Sequence, residues 1–235
     1  MPAPSVIELR QYTLCRGQRD VLIALFEREF VESQEAAGMH VLGTFRDLDD
    51  PDRFVWLRGF DALAGRAAAL GAFYGGPVWQ AHREAANATI VDSDNVLLLR
   101  PAGCDLGLAG ALRARDGAAS DAVFSVTVCP LREAPGEAQW RAFDQCIHPW
   151  WVGVGGDLLA CWMTEGTPND FPRLPVREGE PVLAWLTRFD DAAAQLRHAA
   201  LVRESGCLDH PEWRHHLTGD VVHVRLAPTP RSALR

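Results

Sequence analysis

The sequence predicts an α+β fold made of two ferredoxin-like units in tandem, on three observations. Residues 53–60, Arg-Phe-Val-Trp-Leu-Arg-Gly-Phe, alternate strictly: Phe54, Trp56, Arg58 and Phe60 share one face, Val55 and Leu57 the other, the two-residue period of a strand. The passage recurs as Leu183-Ala-Trp-Leu-Thr-Arg-Phe-Asp190, 129 residues on (189 − 60), with Trp185 matching Trp56 and Phe189-Asp190 matching Phe60-Asp61. Each half also reads strand–helix–strand–strand–helix–strand, the split order of ferredoxin-like units.

In the first half, residues 6–14 alternate, with Ile7 and Leu9 opposite Glu8, Arg10 and Tyr12. Gly17 opens a helix whose Leu22, Leu25, Phe26 and Phe30 form one stripe, and Gly38 ends it. A strand over 39–47 sets Val41 and Phe45 against His40, Thr44 and Arg46. Asp49-Asp50-Pro51-Asp52 then turns the chain into the central strand. Asp61 is placed as N-cap of a helix carrying Leu63, Ala67 and Leu70. After an interruption over 71–77, a short helix carries Trp79 and His82, Asp92 and Asp94 make a turn, and a strand over 95–101 closes the unit.

The domains are set at 1–103 and 121–235, joined by a linker over 104–120 that is rich in glycine and alanine. The second half repeats the order: a strand over 122–131, then a helix with Pro135 in its first turn and Trp140, Phe143 and Ile147 on its stripe, stopped by Pro149. Strands over 157–165 and 182–189 flank a loop, 166–181, whose prolines 168, 172 and 175 exclude regular structure. Loops of that length are often functional. A helix over 191–204, Trp213 and His216 echoing Trp79 and His82, and a strand over 220–227 complete the unit. The tail beyond Pro228 is expected to fray.

Composition narrows the function classes. A net charge of −8 and a pI near 5.5 leave no basic stripe for nucleic acid. No apolar run approaches the roughly 20 residues of a membrane span, and the opening Met-Pro-Ala-Pro-Ser lacks a signal peptide's regions, so a cytoplasmic location is expected. Cysteines 15, 104, 129, 146, 161 and 207 show no Cys-x-x-Cys spacing and read as reduced, mostly buried thiols.

Helices on one side of each sheet leave the other side bare. With the apolar strand residues taken as the helix side, the bare face collects Glu8, Arg10, Tyr12, His40, Thr44, Arg46, Trp56 and Arg58. Its counterpart holds Ser125, Thr127, Cys129, Trp162, Thr164, Trp185 and Thr187. Clasped together, the two faces would enclose a hollow in which Arg10, Arg46 and Arg58, with Glu8, orient a small organic anion. Trp56 and Trp185 would stack on it, and Tyr12 and His40 would handle protons. The alternative is a charge network tying the sheets together. His148, in His148-Pro-Trp-Trp151, could roof the hollow or serve as an axial haem ligand, or simply close an aromatic helix end. His210, His215 and His216 cluster where solvent exposure is expected, and no metal is assigned. Arg173 and Arg177 could reach a ligand or a partner subunit, or pair with Glu178 or Glu180.

Five stretches resemble bacterial NIPSNAP-family proteins: Glu8-Leu-Arg-Gln-Tyr-Thr-Leu14, Arg53-Phe-Val-Trp-Leu-Arg-Gly-Phe60, Ala72-Phe-Tyr-Gly-Gly-Pro-Val-Trp79, Asp92-Ser-Asp-Asn-Val-Leu-Leu-Leu-Arg100 and Phe171-Pro-Arg-Leu-Pro-Val-Arg-Glu-Gly179. The resemblance implies the dimeric α+β-barrel superfamily, in which ferredoxin-like units pair around an eight-stranded barrel, and it would put Glu8, Arg10 and Tyr12 inside that barrel. Relatives in the superfamily include cofactor-independent monooxygenases, lactone isomerases and haem-dependent enzymes, so the likeness implies fold more sharply than reaction.

The resulting expectation is a small-molecule protein that needs no cofactor and self-associates, binds a partly aromatic anion in the barrel, and acts, if catalytic, as a cofactor-independent monooxygenase or isomerase. Its rivals are a non-catalytic interaction protein that oligomerises through the barrel, and a haem binder using His148 or His40.

Overall fold

Each predicted strand is present within two residues of its expected bounds in the computed structural model, which describes residues 4–103, 107–115 and 120–235. The first unit contributes β1 (Val6–Leu14), β2 (His40–Asp47), β3 (Arg53–Phe60), a short β4 (Ile90–Asp92) and β5 (Val96–Pro101). The second contributes β6 (Val123–Pro130), β7 (Asp157–Thr164), β8 (Val182–Phe189) and β9 (Val222–Pro228). Their order is β3-β2-β9-β6-β8-β7-β5-β1, and β1 pairs back onto β3. Eight antiparallel strands therefore close a barrel within one chain, with β4 appended to β1. The halves join at two seams, where Phe45 meets Pro228 and Leu99 meets Thr164.

The barrel interior is a solid apolar core drawn from both halves. Ile7, Leu9, Val55, Leu57, Leu97 and Leu99 meet Phe124, Val126, Trp162, Ala184, Leu186 and Leu226 there, and all are buried. This corrects the expected orientation of the sheets. The aliphatic face of each strand points into the barrel, and the mixed face of Glu8, Arg10, Tyr12, Trp56 and Arg58 lies outside it, beneath the helices. The physical reason is closure. The interior of a small barrel is filled by side chains and excludes water, so residues needing no partner go in. The charged residues go where helices can bring them partners.

Helices α1 (Arg19–Leu25) and α2 (Val31–Ala36) are joined by a π-helical turn, Phe26–Phe30, in which the Val31 N–H reaches back to the Phe26 carbonyl. With α3 (Leu63–Gly75) and α4 (Pro77–Asn87) they cover the first sheet. Asp61 does not cap α3. Ala62 holds that position, and Asp61 instead accepts from His40 Nε2 at 2.8 Å. Within the linker, α5 (Leu108–Ala111) sends Leu108 into the barrel core. Helices α6 (Glu137–Cys146), α7 (His148–Gly153), α8 (Ala192–Ser205) and α9 (Pro211–Arg214) cover the second sheet. The tail does not fray. Thr229 bonds Thr44, the Leu234 N–H donates to Leu42, and both tail residues are buried.

Both units carry a bulge at the matching place, between Val41 and Gly43 in β2 and between Leu158 and Ala160 in β7. One extra residue reverses the alternation beyond it. Val41 consequently packs under the helices while Phe45 points into the barrel, and Trp162 joins the barrel core rather than its predicted face. No helix among the described residues is long and apolar enough to cross a membrane.

Candidate functional site beneath the first helical layer

Register assembles the site floor. Glu8 lies opposite Arg58, Arg10 opposite Trp56 and Tyr12 opposite Phe54, so one face of the β1–β3 pair alternates charge with aromatic ring. Glu8, Arg10 and Arg58 are completely buried. Arg10 Nη1 donates to Glu8 Oε2 at 2.7 Å, Arg58 Nη2 to the same oxygen at 2.5 Å, and Arg66 Nε to Glu8 Oε1 at 2.7 Å. Arg58 also donates to Gln34 Oε1 at 3.0 Å. Burial alone would raise the Glu8 pKa, but the guanidiniums of Arg58, Arg10 and Arg66 outweigh it and hold the carboxyl at about 2. A carboxylate so enclosed by arginines is closed to metal ions.

Arg10 Nε donates to the Tyr12 hydroxyl at 3.0 Å, and its guanidinium lies 5.4 Å from the Tyr12 ring centre and 5.5 Å from that of Trp56. Burial pushes the Tyr12 pKa up against the opposing pull of Arg10, so the group is a neutral phenol that accepts from Arg10 and keeps its own proton to give. Trp56 Nε1 is a second buried donor, with no partner among the described residues.

Tyr12 and Trp56 form part of the wall of a cavity of about 360 Å³ between this sheet and its helices. The π turn supplies Phe26 and Phe30, edge-to-face at 6.0 Å. Such turns often mark functional sites, and this one places both rings of a four-residue spacing on the cavity. Phe73, Tyr74 and Trp79 complete the aromatic wall. The roof comes from the other half of the chain: Phe171, Arg173 and Leu174 of the 166–181 loop line the cavity, and Phe171 stacks on Tyr74 at 6.2 Å. Arg66 anchors this loop through Asp170 and through Asn169 Oδ1, the latter at 3.1 Å. Arg83 and Arg173 line the cavity with exposed side chains.

Five predicted site residues, Glu8, Arg10, Tyr12, Trp56 and Arg58, thus come together, outside the barrel. The other four do not join them. Arg46, flanked by Phe54 on β3 and Ala227 on β9, is half-buried and pairs with Asp20 at 2.9 Å, away from the cavity lining. The β2 bulge separates His40 from the Thr44–Arg46 face, and Asp61 holds it away from the cavity lining. Trp185 lies in the second unit's own core, 5.0 Å from Phe143 and 5.1 Å from Trp151. His148 pairs with Asp144 at 3.1 Å and lies parallel to Phe143. Neither His40 nor His148 lines this cavity, which removes the geometric basis for haem ligation there.

Arg66, Gln34 and the Asp170 latch were not foreseen. Arg66 did leave a signal, because it shares its stripe with the buried Ala69, Leu70 and Phe73 at three, four and seven residues' spacing. An arginine on the inward stripe of a small-residue helix points to a buried ion pair. Asp170 left none, since its partner lies 104 residues away.

Residues 7–104 match the NIPSNAP family model. Two solved structures resemble the whole chain. One is a candidate monooxygenase from Lactobacillus acidophilus NCFM (TM-score 0.55, 13% identity, 96% of this chain and 94% of that one). The other is a candidate monooxygenase from Fusobacterium nucleatum subsp. nucleatum ATCC 25586 (TM-score 0.58, 10% identity, 97% and 94%). At such identities the likeness establishes the tandem barrel fold alone. An uncharacterised NIPSNAP domain protein from Burkholderia xenovorans is similar over 42% of this chain and 95% of its own (19% identity, TM-score 0.38). A comparison with curated proteins gives no match.

Proposed function

From a chain whose residues 7–104 match the NIPSNAP family model, we propose a small-molecule-binding protein whose ligand is an aromatic compound bearing an oxygen acceptor or acid group, held beneath the first helical layer. One observation carries the reading: an aromatic-walled cavity is lined by Tyr12, whose phenol accepts from Arg10 and keeps its own proton to give, and by Trp56, whose buried indole N–H has no partner among the described residues. Ligand pockets have this character, mostly apolar with a few placed polar groups. Charge favours an anion. Glu8 and Asp170 face Arg10, Arg58 and Arg66, and Arg83 and Arg173 add two cations to the lining with no carboxylate partner among the described residues.

The same lining bounds the chemistry. No carboxylate, imidazole or thiol lines the cavity among the described residues, so the wall donates protons and offers no base. Binding is therefore the function the geometry supports best. In an isomerase or cofactor-independent monooxygenase version, Tyr12 would donate to the ligand oxygen that gains charge, and the substrate would have to bring its own acidity.

Native mass spectrometry of the purified chain tests the proposal directly, followed by tryptophan-fluorescence titration with a panel of aromatic carboxylates and phenolates. A bound aromatic acid whose affinity falls about tenfold in Tyr12→Phe and in Trp56→Phe is expected, one donor being worth roughly 1–1.5 kcal/mol. Affinity unchanged in both variants would place the ligand elsewhere. A partner protein captured equally well by both would favour the interaction reading.

A further inference from the structure

Outside the cavity, the second unit brings three different metal-ligating side chains together: Cys146 at the end of α6, His210 just before α9 and Glu212 within α9. We propose that these residues form a binding site for a zinc-class divalent cation, separate from the small-molecule cavity.

The geometry is close to what such an ion requires. One ligand atom from each residue lies within 4.8 Å of the others, and Cys146 Sγ stands 3.6 Å from Glu212 Oε2. Zinc bonds of about 2.3 Å to sulfur and about 2.0–2.2 Å to nitrogen or oxygen set tetrahedral ligand edges of roughly 3.5 Å. The sulfur–oxygen edge is therefore already at bonding separation, and the imidazole needs only a small side-chain rotation to close the set.

The backbone beneath the site is held in place. His210 is extended, as a residue preceding proline must be, and its N–H donates to the Cys207 carbonyl at 3.1 Å. Cys207 and Trp213, both buried, pin the turn on either side of His210 and Glu212. The three side chains also have no competing hydrogen-bond partner outside the set among the described residues. Among the described residues the His210 ring has no hydrogen-bond partner, and the Glu212 carboxylate meets the Cys146 thiol but no arginine.

The ligand set selects the ion. One thiolate, one imidazole and one carboxylate suit zinc, whereas calcium and magnesium sites are built from oxygen. His210 and Glu212 are exposed, and Glu212 borders a surface hollow of about 510 Å³ with His215, His216 and Gln145, so the fourth position opens to water. The ion would clamp α6 to α9 across the second unit, tying metal affinity to the stability of that half.

The test uses the tag-free full-length chain, stripped with a chelator and titrated with Co²⁺ alone, then with Zn²⁺ in competition. One equivalent of Co²⁺ should produce a thiolate charge-transfer band and the visible bands of four-coordinate cobalt, and Zn²⁺ should displace it. Cys146→Ser should abolish the thiolate band with the circular dichroism unchanged, and Glu212→Gln and His210→Ala, both surface substitutions, should each weaken binding by at least about tenfold. Zn²⁺ should raise the Tm of the wild type and not that of Cys146→Ser. Absence of the thiolate band, its survival in Cys146→Ser, or unchanged Co²⁺ affinity in both surface variants would overturn the site.

Discussion

Glu8 is the carboxylate to which three buried guanidiniums converge, and replacing it with glutamine is the sharpest perturbation the structure offers. Glu8→Gln keeps the shape and removes the charge, leaving Arg10, Arg58 and Arg66 facing one another with Asp170 as the one acid still paired to them among the described residues. The carboxyl is held at about 2 against an ordinary 4.5. At about 1.4 kcal/mol per tenfold of proton affinity, the ionised form contributes on the order of 3 kcal/mol. Unpairing a buried ion costs about 3–5 kcal/mol by direct comparison, so the two routes agree. Because the folded-state value is depressed, this stability is fully present above pH 4.5 and is lost as the pH falls towards 2. Urea unfolding should therefore show Glu8→Gln less stable by about 3 kcal/mol at pH 7, with the gap narrowing as acid protonates the wild-type carboxyl. A gap below about 1 kcal/mol at pH 7, or one that stays constant through that acid window, would refute the reasoning.

The other predictions concern the core, the roof, the tail and the thiols. Leu57→Ala, in the barrel interior, should cost about 2–5 kcal/mol by urea unfolding while leaving ligand affinity to the folded protein unchanged. Phe171→Ala removes the ring stacked on Tyr74 and should speed ligand release, read by stopped-flow fluorescence, with little change in unfolding midpoint. Deleting residues 229–235 strips the Thr44–Thr229 bond and the buried Leu234, and should lower the Tm markedly, whereas a frayed tail could be lost without effect. Burial holds the Cys129 thiol well above its usual range, so it should resist thiol reagents at pH 8 in the native state and react on unfolding.

Much of the strand architecture was legible in local periodicity, because alternation records which residues share a face. Glu8, Arg10 and Tyr12 were grouped correctly, as were Trp56 and Arg58, and the repeat of the central strand announced the duplication. Alternation is blind to which face the helices cover, since turning a sheet over leaves its period intact. That choice was made by barrel closure, which pairs strands far apart in sequence and demands side chains that need no partner inside. Two further decisions belonged to tertiary structure. Single-residue bulges in β2 and β7 reversed the faces of His40 and Trp162, because one inserted residue shifts everything beyond it. The 166–181 loop crossed from the second unit to roof the first unit's cavity, through Asp170 reaching Arg66 and Phe171 reaching Tyr74. A loop's own residues set its irregularity, but its destination depends on the surface that the rest of the chain presents to it.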